Sequence, residues 1–250
     1  MVVQDQRKIV TVADPAELAK TAADRLMARI AANDGRVAIC LTGGSSPKQL
    51  YALLATDAYN KRIPFDRVHW FIGDERFVPP GDSRNNMAMA RGIFLDRFAP
   101  ACNIHPIPTG AANPDESAEH YARELNAFYG LERLDPARPL FDVVLMGVGP
   151  DGHTASIFPD YPALAETERW VVGVPHAHVA PLVPRVTLTL PALASCREML
   201  FEVAGSDKRA ILTRVLDGEN LPAARATSIG ETIWLVDTAA LPEAFRGQSA

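Results

Sequence analysis

Cysteine is scarce in this sequence and makes no pattern. The three cysteines, Cys40, Cys102 and Cys196, stand far apart with no Cys-x-x-Cys pair. That excludes a disulfide framework and a thiolate zinc site, and it points to a reducing compartment. No block of like charge occurs, and the net charge is −5, which argues against a nucleic-acid or anionic-membrane partner. No apolar run approaches the length of a membrane span. Residues 1–8 are polar and lack an apolar signal core, so a cytoplasmic protein is expected. Repeats, linkers and low-complexity segments are missing as well. So are the GxxxxGK[ST] phosphate loop and the Gly-x-Ser-x-Gly nucleophile elbow.

What is present is an ordinary globular composition, 48% hydrophobic and 22% charged over 250 residues, long enough to bury a sizeable core. Strand and helix signals alternate from end to end. Residues 8–12 read as a first strand. Asp14-Pro15-Ala16-Glu17 opens a helix with Asp14 as N-cap, Pro15 at the first helical position and Glu17 in capping-box register. Leu18, Ala22, Leu26 and Ile30 form its apolar stripe. The unbroken apolar run at 37–41 reads as a parallel strand buried on both faces, and 141–146 reads as another buried strand. Further strands are expected at 67–72, 170–174, 198–203 and 232–236, and a half-buried one at 185–190, where apolar and polar residues alternate. Helices are expected at 48–55, at 85–98 with Ser83 as cap, at 113–129, and from Lys208 to about Leu216. The pattern predicts one α/β domain over residues 1–250 with a mostly parallel sheet.

Three loops follow predicted strands and carry the residues able to do chemistry. Thr42-Gly43-Gly44-Ser45-Ser46-Pro47 joins a buried strand to a helix N-terminus. Its free N–H groups favour a phosphate, in preference to a tight turn that merely uses the glycines. Gly73-Asp74-Glu75-Arg76, followed by Arg84, offers two guanidinium groups for an oxyanion. Gly147-Val-Gly-Pro-Asp-Gly-His-Thr-Ala-Ser-Ile-Phe-Pro159 places one acid, Asp151, and one imidazole, His153, on a Gly-rich turn. Ligands of an open α/β sheet bind beyond the strands' carboxyl ends, and an imidazole there suits general base chemistry. Lys208 is a cation at a helix start, which the dipole disfavours unless an anion is near. His176 and His178 suggest a metal only weakly.

Together these loops, with Arg185-Val-Thr-Leu-Thr189 and Gly205-Ser-Asp-Lys208, resemble the 6-phosphogluconolactonase family over nearly the whole chain. The resemblance implies a Rossmann-like fold, shared with glucosamine-6-phosphate deaminase and ribose-5-phosphate isomerase. It implies hydrolysis of 6-phospho-D-glucono-1,5-lactone, a sugar-phosphate lactone, without an organic cofactor; apart from the resemblance, no metal site and a monomer are expected. It makes His153 the general base, Arg76 a substrate-contacting arginine, and Gly43, Gly44 and Lys208 neighbours of the ligand. With the residue chemistry added, the catalytic set is His153, Asp151 and Arg76. The binding set is Gly43, Gly44, Ser45, Asp74, Arg84, Arg185 and Lys208. Two alternatives stand beside this reading. An amino-sugar-phosphate deaminase would need a glutamate where this chain has Phe158. A non-catalytic sugar-phosphate sensor would normally carry a DNA-binding module.

Overall fold

The computed structural model describes residues 7–245; Met1 to Gln6, most of the polar segment read above, lie outside them. The strands are β1 (Arg7–Val12), β2 (Val37–Leu41), β3 (Val68–Ile72), β4 (Asp74–Arg76), β5 (Phe141–Met146), β6 (Val171–Val174), β7 (Arg185–Leu188), β8 (Cys196–Val203) and β9 (Glu231–Asp237). Six of them form a parallel sheet in the order β1-β9-β8-β5-β2-β3. Every residue of β2 and β5 is buried, as expected of strands covered on both faces; the one charged residue among them, Asp142 of β5, accepts Ala38 N at 2.8 Å and Asn33 Nδ2 at 3.0 Å. After β2 the chain moves outward to β3, then returns to lay β5 on the other side of β2. The crevice between β2 and β5 is therefore the switch point where such sheets bind ligands.

Local capping explains the two longest helices. In α1 (Pro15–Ala31) the Asp14 carboxylate accepts the N–H groups of Ala16 and Glu17, both at 2.9 Å. Glu17 in turn accepts the N–H of Ala13 at 2.6 Å. The motif repeats at the Pro114–Tyr129 helix, where Asn113 accepts from Glu116 N and Glu116 accepts from Ala112 N. Such reciprocal caps satisfy orphan donors of the first turn. The stripe of Leu18, Ala22, Leu26 and Ile30 is buried against the sheet. No helix among the described residues is long and apolar enough to cross a membrane.

Several local expectations are corrected. The helix after β2 is α2 (Ser46–Leu54), and its cap position is Ser45, whose side chain makes no capping bond. The helix beginning at Asn86 is capped by Asn85, which accepts Ala88 N at 2.7 Å, and not by Ser83. It continues to Phe98 through a wider π-type turn at Arg91–Leu95. Lys208 ends a short 3-10 turn, Ser206–Lys208, ahead of the Arg209–Leu216 helix.

The predicted half-buried strand at 185–190 is shorter and fully buried, β7, the middle of a second, antiparallel sheet ordered β4-β7-β6. Its polar face is covered by the His153 loop, whose Ser156 N–H donates to Thr187 Oγ1. Leu188 N donates to Gly73 O at 2.8 Å, joining the small sheet to the end of β3. At the carboxyl ends of β2 and β3 a phenol takes over from the strand ladder. Tyr51 OH bonds both N and O of Thr42, and Tyr121 OH bonds both N and O of Ile72.

One buried acid on β8 has no such compensation. Glu202 is 4% exposed, and neither carboxylate oxygen has a hydrogen-bond partner among the described residues. Burial pushes its carboxyl up from 4.5 to about 8. The folded chain thus holds this proton more tightly than the unfolded chain does. Its stabilising effect is whole below about pH 4.5 and is lost as pH rises to about 8. Urea unfolding at pH 5 and pH 8 should show wild type losing on the order of a few kcal/mol that Glu202→Gln does not lose. Parallel losses in the two proteins would place the proton elsewhere.

Candidate active site

The carboxyl ends of the neighbouring strands β8, β5, β2 and β3 deliver their loops to one cleft of ≈ 230 Å³. Gly43, Gly44, Asp74, Arg76, His153 and Lys208 all line it, together with Thr42, Asn86 and the backbone of Gly147 to Pro150. Two close approaches explain why particular glycines stand there. A Cβ on Gly43 would lie 2.1 Å from Asn86 Oδ1, and one on Gly149 would lie 2.0 Å from the His153 ring. Any other residue would have to displace these side chains.

The His153 loop is a closed turn. Gly149 N donates to His153 O, Gly152 N donates to Gly149 O, and Thr154 Oγ1 donates to Gly147 O. His153 Nδ1 lies 2.5 Å from Asp151 Oδ1, which also accepts the His153 backbone N–H. Burial pushes the Asp151 carboxyl up. The hydrogen bonds and charge of His153, with a bond from His178, outweigh this and hold it well below the usual carboxylate range. An ionised carboxylate only accepts, so in the neutral imidazole Nδ1 carries the proton and Nε2 keeps the lone pair. Phe158 packs on the ring at 4.9 Å between centroids. The arrangement equips His153 to take a proton from water, with its tautomer fixed from behind.

The Asp74-Glu75-Arg76 strand supplies the opposite wall. Asp74 is 7% exposed and accepts Ser156 Oγ at 2.6 Å. Glu75 is fully buried and accepts three backbone N–H groups, from Arg76, Asn86 and Met87. Burial raises its carboxyl to about 7 against the pull of those donors. This contact fastens the start of the Asn86 helix beneath the Gly43 loop. Asn86 Nδ2 donates to Asp74 O at 3.0 Å. Arg76 donates through Nη1 to Arg84 O, while its buried Nε has no partner among the described residues. Lys208 reaches across from the β8 side, its Nζ 2.9 Å from Val148 O.

Four of the residues singled out by sequence stand outside the cleft. Arg84 turns back onto Asp82, with Nη2 and Oδ2 2.6 Å apart, and meets the site only through its carbonyl. Arg185 is 3% exposed, paired beside Arg76 in the small sheet, and donates to Pro181 O. Ser45 lines a separate hollow with Pro15, Leu18 and Gly205. Asp151 sits behind His153, on a groove that opens away from the cleft. The sequence reading did not single out Asn86, Glu75, Ser156 or His178 as functional. Asn86 carried a signal, since it sits beside an arginine and an asparagine cap in one loop. His178 was weighed only as a weak metal ligand, because its bond to Asp151 comes from a loop 27 residues away.

Comparison with known proteins agrees with this architecture. Residues 13–234 match the profile described as glucosamine-6-phosphate isomerases/6-phosphogluconolactonase. The 6-phosphogluconolactonase of Synechocystis is 40% identical over 212 residues, 82% of this chain and 84% of that protein. The 6-phosphogluconolactonase of Streptomyces coelicolor is 36% identical over 247 residues, 94% of each chain. Among solved structures, 6-phosphogluconolactonase from Trypanosoma cruzi superposes with a TM-score of 0.83 at 29% identity, covering 94% of this chain and 95% of that one. With this match, and with the sheet and loops in the same order, the chain belongs to the glucosamine-6-phosphate isomerase/6-phosphogluconolactonase family.

Proposed function

We propose that this chain hydrolyses 6-phospho-D-glucono-1,5-lactone to 6-phosphogluconate in the oxidative pentose phosphate pathway. The observation that carries the reading is the His153–Asp151 contact at 2.5 Å, set over a cleft that also presents Arg76 and Lys208. Nε2 of His153 takes a proton from water as its oxygen attacks the lactone carbonyl. The tetrahedral intermediate gathers negative charge on the former carbonyl oxygen. Arg76 or the N–H groups of the glycine loops neutralise it. The C–O bond to the ring oxygen then breaks, and the imidazolium returns the proton to that oxygen. A δ-lactone is an activated ester, so base catalysis of about 10²–10⁴-fold suits the task. In this reading Lys208 holds the phosphate, and Arg76 lines the same cleft. The three unpaired cysteines fit a cytoplasmic enzyme.

The deaminase reading loses its support at Phe158. The position where that chemistry needs a carboxylate holds a phenyl ring, 1% exposed and packed on His153, which relays no proton.

His153→Ala should fold normally and lose about 10²-fold or more in kcat, the usual scale of a lost general base. Gly149→Ala should do similar harm from the backbone. Its methyl occupies the place of the His153 ring, and misplacing a reacting group by about 1 Å costs up to about 10²-fold. Near wild-type turnover in either folded variant would remove His153 from the chemistry.

Lys208→Ala separates binding from chemistry. Loss of a charge-assisted contact to phosphate, worth about 1.5–3 kcal/mol, should lower kcat/KM for the phosphorylated lactone by roughly 10- to 150-fold. The change should appear in KM, and hydrolysis of unphosphorylated gluconolactone should hardly move. Spontaneous ring opening is subtracted in each assay. Equal losses on both lactones would mean that Lys208 acts on the ring or, through Val148, on the loop.

A further inference from the structure

Asp151 serves two imidazoles. Its Oδ1 faces His153 Nδ1 at 2.5 Å, and its Oδ2 faces His178 Nε2 at 2.7 Å. The second histidine comes from the loop between β6 and β7. Its ring packs against Phe158 at 5.0 Å and Tyr161 at 5.4 Å, so Nε2 is directed rather than free to swing. The same Phe158 ring touches His153 on its other side. The loop is tied down where Arg185 Nη2 donates to Pro181 O. His178 does not line the substrate cleft; it lines the groove behind Asp151, with Asp160, Tyr161 and the Arg214–Glu219 pair.

We propose that His178 is a positioning residue for the hydrolysis. By holding the second oxygen of Asp151 it fixes the carboxylate's rotation and tunes the basicity of His153. The inference rests on the reading of His153 as the base. A carboxylate anchored through one oxygen turns about its Cβ–Cγ bond, whereas one anchored through both holds the imidazole in one orientation. The donor on Oδ2 also draws charge from the carboxylate. Without it, Oδ1 stabilises the imidazolium more strongly, and His153 is protonated up to a higher pH. The other ionisable groups around these residues are Asp160, Tyr161, Arg214 and Glu219 on the groove side and Asp74, Arg76 and Lys208 on the cleft side, and the substitutions below leave all of them in place.

The test compares two variants of the full chain. His178→Phe keeps a ring between Phe158 and Tyr161 but offers no donor. His178→Gln loses the ring and keeps an N–H at similar reach. In His178→Phe, kcat should fall about 2- to 10-fold with little change in KM, the net worth of one hydrogen bond. The acid limb of its kcat/KM profile should move up by about 0.4–1 pH unit, the same worth expressed as a titration shift. His178→Gln should restore the acid limb and most of kcat. A wild-type acid limb in His178→Phe, or equal displacement in both variants, would overturn the proposal and leave His178 a packing role. The hydrogen-bonded Nδ1–H resonance of His153 gives a readout independent of turnover, retained in the Gln variant and shifted or broadened in the Phe variant. If wild type fails to open the lactone, the functional reading falls. The resonance then still decides whether His178 holds Asp151 against His153.

Discussion

The adjacency of β2 and β5 is the constraint on which everything else hangs. Both strands are buried on both faces, so neither survives at a sheet edge. Placing them side by side forces the chain to leave in opposite directions, toward β3 on one side and β8 on the other. The loops at that parting cannot pair with each other, and their backbone groups face a shared opening. Gly43, Gly44 and the turn from Gly147 to Gly152 stand at that opening because of the strand order. The small antiparallel sheet then closes one side, bringing Asp74 and Arg76 to the same place.

The site is assembled from buried polar groups, and each one needs a partner to be tolerated there. Glu75 satisfies three backbone donors while losing its contact with water. Asp74 is met by Ser156, and Asp151 by two imidazoles. The buried Nε atoms of Arg76 and Arg185 stand against this pattern, without partners among the described residues. Glu202, at the centre of the sheet and remote from any such pairing, is the clearest cost the fold carries.

Much of this was legible because it is local. The caps at Asp14 and Asn113 declare their helices within four residues, and the apolar run of β2 declares a buried strand by composition alone. The histidine loop was legible for the same reason, since Asp151 and His153 are two residues apart. What was not legible depends on distant segments. Asp74 to Arg76 read as a charged loop. They form a strand because Arg185 to Thr187, far later in the chain, offer a backbone to pair with. The guanidinium of Arg185 was recognised as a cation, but the same pairing turns it beneath the surface, while Arg84 is diverted by Asp82 two residues away. Ser83 was read as the cap. The register went to Asn85, where the next two N–H groups reach Glu75.

The two phenols at the strand ends have a consequence for how the cleft meets a ligand. Where β2 and β3 end, the chain must peel away, and exposed N–H and C=O groups would ordinarily let the rim fray. Tyr51 and Tyr121 each supply a donor and an acceptor at that point, from helices already locked into the core. The rim is thus set before any substrate arrives. Less conformational freedom remains to be lost on association, so more of the contact energy appears as affinity and orientation. The dipoles aimed at the reacting carbon are likewise in place without reorganisation during the reaction. A hydroxyl group on each of two core aromatics turns the mouth of a sheet into a rigid socket.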